Sequence, residues 1–133
     1  MVTDEEILQA AESLRQGRLV AFPTETVYGL GANALDVAAV DRIFQVKGRP
    51  PTSPLIVHVA SVEMAMGLAR HWPEAAGLLA RTFWPGPLTL VVPKQPEIPD
   101  SVTSGLNTVG LRMPAHPVAL RLIQAAEVPV AGP

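Results

Sequence analysis

A loop rich in hydroxyl groups follows the first apolar segment of the chain. Residues 19–22 form a short apolar run ended by a proline, which is typical of a buried strand, and residues 23–31 then carry Thr24, Thr26 and Tyr28 before a Gly-Leu-Gly close. Loops at the carboxyl ends of strands are a usual place for ligands in α/β proteins. Threonines also cap turns, however, and the spacing alone slightly favours a turn.

Two cations stand close together farther along the chain. Lys47 and Arg49 flank a glycine and precede Pro50 at the end of a predicted helix. An arginine can hold two phosphate oxygens at once, while a lysine adds a point charge, so the pair is a candidate anion site. Basic residues also end helices simply because they complement the helix dipole, and that alternative stays open.

A single histidine, His58, lies within the apolar strand predicted over residues 55–59. A lone histidine on a strand is more often a hydrogen-bonded core residue than a ligand. A binding function requires that His58 face the same side as the threonine loop. His71 and His116 lie near helix starts and prolines, which indicates surface or structural positions.

The segment 108–112 is predicted to be a strand whose alternate residues share one face. Thr108, Gly110 and Arg112 fall on that face because side chains alternate along a strand. A glycine between the two polar residues leaves room for a ligand to approach the backbone. The alternative is an edge strand with a solvated arginine.

One further motif predicts a structural role, and several common catalytic and metal-binding motifs are absent from the sequence. Residues 83–90 (FWPGPLTL) predict a rigid turn with Trp84 packed beneath it, and base stacking by this turn is the less favoured alternative. The chain has no cysteine and no histidine pair at metal-ligand spacing, so no metal site formed by protein ligands is predicted. It also has no P-loop, dinucleotide fingerprint or metalloprotease motif.

The elements that must position these residues alternate between strand and helix. This order predicts an α/β or mixed α+β fold whose sheet is at least partly parallel. Helices are predicted at residues 4–15, 36–48, 61–69, 73–82 and 117–126, and strands at 19–22, 55–59, 88–92, 109–112 and 128–131.

Composition predicts one soluble domain over residues 1–133. Hydrophobic residues make up 48 % of the chain and charged residues 17 %, which is typical of a globular protein with a large core. The net charge of -2 argues against a surface devoted to nucleic acid. There is no signal peptide and no apolar run near the roughly 20 residues that span a bilayer. A cytoplasmic location with no membrane contact is therefore expected.

In their order along the chain, these segments resemble the YrdC-like family of threonylcarbamoyl-AMP synthases. The matching stretches are PTETVYGLGANA (23–34), KGRP (47–50), PLIVHV (54–59), FWPGPLTLVV (83–92), TVGLRMPAHPVAL (108–120) and PVAGP (129–133). KGRP alone is a weak signal, whereas the ordered set is specific.

The resemblance implies a fold and a reaction. The fold would be a twisted, open, mostly parallel mixed sheet with flanking helices and a deep concave site. The reaction would be nucleotidyl transfer: L-threonine, bicarbonate and ATP give threonylcarbamoyl-adenylate and pyrophosphate, with Mg²⁺ held mainly by the ATP phosphates. Partner proteins would then transfer the threonylcarbamoyl group to an adenosine of tRNA, with RNA contact possible.

The resemblance also implies roles for particular residues, with no single catalytic group among them. Catalysis would come from positioning and from stabilising charge on the phosphates. Thr26, His58 and Arg112 would bind L-threonine, whereas Lys47, Arg49, Ser53 and Thr108 would bind ATP. Position 53 is serine where many relatives have asparagine, and serine can still form a hydrogen bond.

A comparison with the family pattern predicts that the sequence is a fragment. Family members continue past PVAGP into an S-x-N motif that completes the nucleotide site, and this sequence stops at Pro133. Impaired ATP binding or turnover is therefore expected of residues 1–133. Two alternative functions remain: a carbamoyl-adenylate-forming domain of a hydrogenase-maturation carbamoyltransferase, and an RNA-binding module without catalysis.

Overall fold

The chain forms one six-stranded sheet with helices against both faces. The computed structural model describes residues 2–23, 28–48, 50 and 53–133. Across the sheet the strand order is β1-β2-β6-β3-β5-β4. The elements in chain order are α1 (Asp4–Arg15), β1 (Val20–Pro23), β2 (Tyr28–Asn33), α2 (Val37–Lys47), β3 (Ile56–His58), α3 (Val62–Leu68), α4 (Glu74–Phe83), β4 (Leu90–Pro93), α5 (Asp100–Thr103), β5 (Thr108–Arg112), α6 (Pro117–Ala126) and β6 (Val130–Gly132).

The mixed α/β class is confirmed, but the strands are not mostly parallel. Of the five strand pairings in the described residues, β3 with β5 is parallel and the other four are antiparallel. Part of the difference is the β1–β2 hairpin, which includes residues predicted to be a ligand loop (23–31); the rest is that β6 runs antiparallel to both of its neighbours and β4 to β5. The YGLGAN sequence of β2 is rich in glycine, which is depleted in strands, so this strand was not predicted.

The predicted helix ends are confirmed where the capping residues are described. The hydroxyl of Thr3 accepts a hydrogen bond from the Glu6 backbone, while the Glu6 side chain accepts one from the Thr3 backbone, which forms a complete capping box. The carboxylate of Asp36 caps α2 by accepting a hydrogen bond from the Ala39 backbone, and Gly48 ends that helix with a φ of 61°. The short helix α5 was not predicted.

The apolar segment near residue 130 lies at the centre of the sheet. Strand β6 pairs with β2 on one side and with β3 on the other. Val130 is only 1 % exposed and Ala131 is fully buried. The apolar character that predicted a strand here therefore reflects a central position with neighbours on both sides.

The two faces of the sheet are covered to different extents. On one face, apolar side chains such as Val57 and Leu111 pack with residues of α2, α3 and α4. On the other face, α1 and α6 cover Phe22 and Val130 but leave the β3–β5–β4 half less covered, where Thr108 and Val91 are exposed. This half-open face carries the candidate site. None of the helices in the described segments is both long and apolar enough to cross a bilayer.

Candidate ligand-binding face

His58 and Arg112 lie side by side on the half-open face. They are register partners in the parallel pair β3–β5, where adjacent strands lie about 4.8 Å apart and partners point to the same side. The backbone N–H of Val59 donates to the Arg112 carbonyl over 2.9 Å, which fixes the strand ends together. The imidazole is buried, at 6 % exposure, and Arg112 is half-buried. The structure thus brings together two residues that are 54 positions apart.

The imidazole of His58 is held from two directions. Its Nδ1 lies 3.1 Å from the carbonyl oxygen of Val130, and a carbonyl can only accept, so Nδ1 carries the hydrogen. In its neutral form, this tautomer has its lone pair on Nε2. The ring of Phe22 meets the imidazole edge-on, with centroids 5.6 Å apart and an interplanar angle of 75°. Phe22 is the next-to-last residue of β1, so the strand that precedes Thr24 and Thr26 in the sequence also contacts His58.

Arg112 contacts the aromatic turn that follows α4. Its Nε donates to the carbonyl oxygen of Gly86 over 3.3 Å. Trp84 is 8 % exposed, and its indole N–H donates to the Leu88 carbonyl over 2.8 Å. The prediction of a rigid turn above a packed tryptophan is confirmed.

Thr108 lies at the other end of the same strand face. It is four residues before Arg112, which corresponds to about 13 Å along an extended strand. A cavity of about 190 Å³ opens beside it, with walls that include Ile56, Thr103 and Leu106. Gly110 also lines this cavity. The prediction of room beside the glycine is wrong, however, because a Cβ there would lie only 3.0 Å from Cγ2 of Thr89 and 3.3 Å from Cδ1 of Ile56, so side chains of the protein fill that space.

The remaining predicted site residues are placed less completely. Ser53 is half-buried, its backbone N–H donates to the Pro50 carbonyl over 3.0 Å, and it precedes Pro54, which lines the cavity beside Thr108. Lys47 is the exposed last residue of α2. The other two predicted site residues, Thr26 and Arg49, lie outside the described residues, so their predicted roles stay predictions.

Two residues with a bearing on the site were missed from the sequence. Phe22 was read only as part of a buried strand, and Gly86 only as part of a structural turn. Phe22 contacts His58 and Gly86 contacts Arg112, and in each pair the two residues are far apart in the sequence. Gly86 belongs to a segment that matches the family pattern (83–92), whereas Phe22 lies one residue before the first matching stretch (23–34).

The described residues include no group of three or more histidine, aspartate or glutamate side chains that could hold a metal ion. The half-open face itself offers a cation (Arg112), an imidazole (His58), the hydroxyl of Thr108 and a partly apolar cavity. Such a surface suits an anionic, elongated ligand with a polar end and an apolar portion.

Comparison with known proteins identifies the family. The family model Sua5_yciO_yrdC, with the description "Telomere recombination", matches residues 12–133. The chain belongs to the Sua5/YciO/YrdC family. The family resemblance read from the ordered motifs is thereby confirmed.

Similar proteins in other organisms are considerably longer. The threonylcarbamoyl-AMP synthase of Pyrococcus abyssi (strain GE5 / Orsay) is 60 % identical over 124 residues, which cover 93 % of this chain and 36 % of that protein. The threonylcarbamoyl-AMP synthase of Bacillus subtilis (strain 168) is 51 % identical over 131 residues, covering 98 % and 38 %. The chain therefore spans a little over a third of the length of these relatives.

A crystal structure of P. abyssi Sua5 complexed with L-threonine has the same fold. Its TM-score with this chain is 0.96 at 57 % identity, and the match covers all of this chain and 39 % of the other. The six-stranded arrangement, including the antiparallel β1–β2 hairpin, is thus the arrangement of a known family member.

Proposed function

We propose that the half-open sheet face binds L-threonine at one end and ATP at the other, and that the chain takes part in forming threonylcarbamoyl-adenylate. The main observation behind this proposal is the placement of His58 and Arg112 together at the carboxyl ends of β3 and β5, with Thr108 on the same face about 13 Å away. A product that joins an amino acid to a nucleotide is elongated and requires two such poles.

The amino-acid pole would consist of Arg112, His58 and Thr26. A guanidinium group can bind the two oxygens of a carboxylate at once, so Arg112 would hold the carboxylate of threonine. In its neutral form, with the hydrogen on Nδ1, the His58 ring can accept a hydrogen bond at Nε2 from a hydroxyl or ammonium group. The relative whose structure contains L-threonine supports this assignment of the ligand.

The nucleotide pole would consist of Thr108 and Ser53 with Lys47 and Arg49. The two cations would hold the phosphates, and Mg²⁺ would arrive with ATP, coordinated mainly by the phosphate oxygens. The partly apolar cavity beside Thr108 provides a surface for the less polar part of the nucleotide.

The reaction would be nucleotidyl transfer driven by proximity. The threonine amine would take up the carbon of bicarbonate as a carbamate with loss of water. A carbamate oxygen would then attack the α-phosphorus, and pyrophosphate would leave. The carbamate and the phosphates of ATP are both anionic, so the proposed cations Lys47 and Arg49 would lower the repulsion between them. The adenylate would pass to proteins that modify tRNA, in the cytoplasm.

Isothermal titration calorimetry on the full chain tests the two-pole arrangement. Arg112→Ala is expected to weaken L-threonine binding about tenfold or more, because a charge-assisted contact is lost, and to leave ATP binding within about twofold. Thr108→Val, which removes only a hydroxyl, should weaken ATP binding about three- to tenfold and spare threonine. If both variants weaken both ligands equally, the two ligands do not occupy separate poles.

A turnover assay separates this function from the two alternatives. Pyrophosphate release that requires both L-threonine and bicarbonate supports the proposal. Release that requires carbamoyl phosphate instead of threonine indicates the carbamoyl-adenylate alternative. Salt-sensitive RNA binding without any pyrophosphate release indicates the RNA-binding alternative.

A further inference from the structure

Gly86 joins the turn of residues 84–88 to the end of β5. The backbone N–H of Gly86 donates to the Met113 carbonyl over 2.9 Å, and the Gly86 carbonyl accepts from Nε of Arg112 over 3.3 Å. The same residue therefore contacts the strand backbone immediately after Arg112 and the side chain of Arg112 itself. A displacement of Gly86 would therefore alter the hydrogen bond that holds Nε of Arg112.

Contacts of Trp84 hold this turn in place. The indole of Trp84 donates to the Leu88 carbonyl, which closes the turn over 2.8 Å, and the Trp84 backbone N–H donates to the Ala80 carbonyl over 2.9 Å. The Trp72 ring packs against the Trp84 ring with centroids 6.5 Å apart. These contacts join the turn that carries the Gly86 carbonyl to α4 and to the tryptophan pair.

The space around Gly86 admits no side chain. A Cβ atom at this position would lie 2.6 Å from the backbone oxygen of Phe83. Real Cβ contacts are longer than this, and a backbone oxygen at the end of α4 cannot rotate away as a flexible side chain can. An alanine here would therefore displace the turn.

We infer that the Trp84–Leu88 turn is the positioning element for the Arg112 guanidinium, and that the Gly86 carbonyl orients this group for the carboxylate of the amino-acid substrate. This inference rests on the proposed function of Arg112. A guanidinium group held at Nε has its plane fixed, so less conformational freedom is lost when it grips a carboxylate. Gly86 is a positioning residue and does not contact the substrate.

The test measures the binding of three ligands to the full chain by titration calorimetry: L-threonine, L-threoninamide and ATP. Threoninamide lacks the carboxylate that Arg112 would bind. Gly86→Ala is expected to weaken threonine binding about tenfold, since small misplacements of a binding group are costly, and to change threoninamide and ATP binding by less than about twofold. Gly67→Ala is the matched control, because a Cβ there meets no atom within 4 Å, and it should change none of the three affinities.

A second variant covers the case in which Gly86→Ala does not fold. Trp84→Phe keeps an aromatic ring but loses the indole hydrogen bond that closes the turn, and it should weaken threonine binding selectively, by a smaller factor. Equal losses for threonine and threoninamide in whichever variant folds would overturn the inference, since the turn would then act on the whole site.

A double-variant comparison separates failure of the inference from failure of the proposed function. In an Arg112→Ala background, Gly86→Ala should cause no further loss of threonine affinity. If Arg112→Ala weakens threonine binding but Gly86→Ala does not, the proposed function survives and the inference is wrong. If Arg112→Ala has no effect on threonine binding, the proposed role of Arg112 itself is wrong.

Discussion

At the scale of single residues, close packing around Gly31 determines how Phe22 meets His58. A Cβ atom on Gly31 would lie 2.6 Å from Cγ1 of Val130 and 2.7 Å from Cε1 of Phe22. Both neighbours are buried, and each contacts His58, one through its ring and the other through its carbonyl. Because Gly31 has no side chain, Phe22 and Val130 have room to contact the imidazole of His58.

Gly31→Ala is expected to lower the free energy of unfolding by about 1–3 kcal/mol, because overpacking forces buried neighbours off their preferred positions. Urea unfolding measures the change. The matched control Gly67→Ala lies in α3 with no atom within 4 Å of the new Cβ, so it should raise stability by up to about 1 kcal/mol through helix propensity. A Gly31→Ala protein as stable as the original would show that Phe22 and Val130 can move apart freely.

At the scale of elements, one arginine joins α1 to the end of α6. Nη1 of Arg15 donates to the carbonyl oxygens of Ala125 and Ala126 at 2.8 and 3.3 Å, and Nη2 donates to the Glu12 carboxylate at 2.8 Å. The last carbonyls of a helix have no partner within that helix, so this contact satisfies them. The hydrogen bond from Arg15 and its positive charge lower the pKa of Glu12 below its ordinary value.

Arg15→Gln is expected to lower the free energy of unfolding by about 1 kcal/mol at neutral pH, since the hydrogen bonds lie at the surface. The folded-state pKa of Glu12 is depressed, so its contribution is present above the ordinary carboxyl pKa and is lost as the pH falls through the folded value. The difference between the two proteins should therefore shrink in acid.

Urea unfolding at several pH values measures this effect, with the exposed Arg18→Gln as the charge-matched control. The control should change stability little at any pH. A constant difference between Arg15→Gln and the original protein from neutral to acidic pH would contradict the proposed coupling between Arg15 and Glu12.

At the scale of the whole molecule, β6 joins the two halves of the sheet. The β1–β2 hairpin lies on one side of β6, and β3, β5 and β4 lie on the other. Ala131 is opposite Ala32 of β2 and Val57 of β3, so its backbone lies between two partner strands. His58 depends on this strand as well, through the carbonyl of Val130.

Ala131→Pro is expected to lower the free energy of unfolding by about 3 kcal/mol or more, because proline removes a backbone donor in the middle of a sheet and leaves its partner unsatisfied. Ala131→Gly keeps the N–H group and should cost about 1 kcal/mol or less. Thermal unfolding of both variants gives the comparison. Equal costs for proline and glycine would show that the N–H of Ala131 has no part in joining the two halves.

The sequence by itself determined most of the local elements, though not β2 or α5, and part of the site. Helix ends followed from Thr3, Asp36 and Gly48 because capping depends on residues within one turn of each other. The common face of Thr108 and Arg112 followed from alternation along a single strand. The family followed from an ordered set of motifs, each readable without knowing its spatial neighbours.

Only the tertiary structure decided how these segments meet. The register that sets His58 beside Arg112 joins residues that are distant in sequence, as do the contacts of Phe22 and Gly86. The antiparallel β1–β2 hairpin includes a glycine-rich strand of weak propensity. Strand pairing is chosen by the burial of the whole sheet rather than by local pattern, because each strand gains stability only from partners that other segments supply.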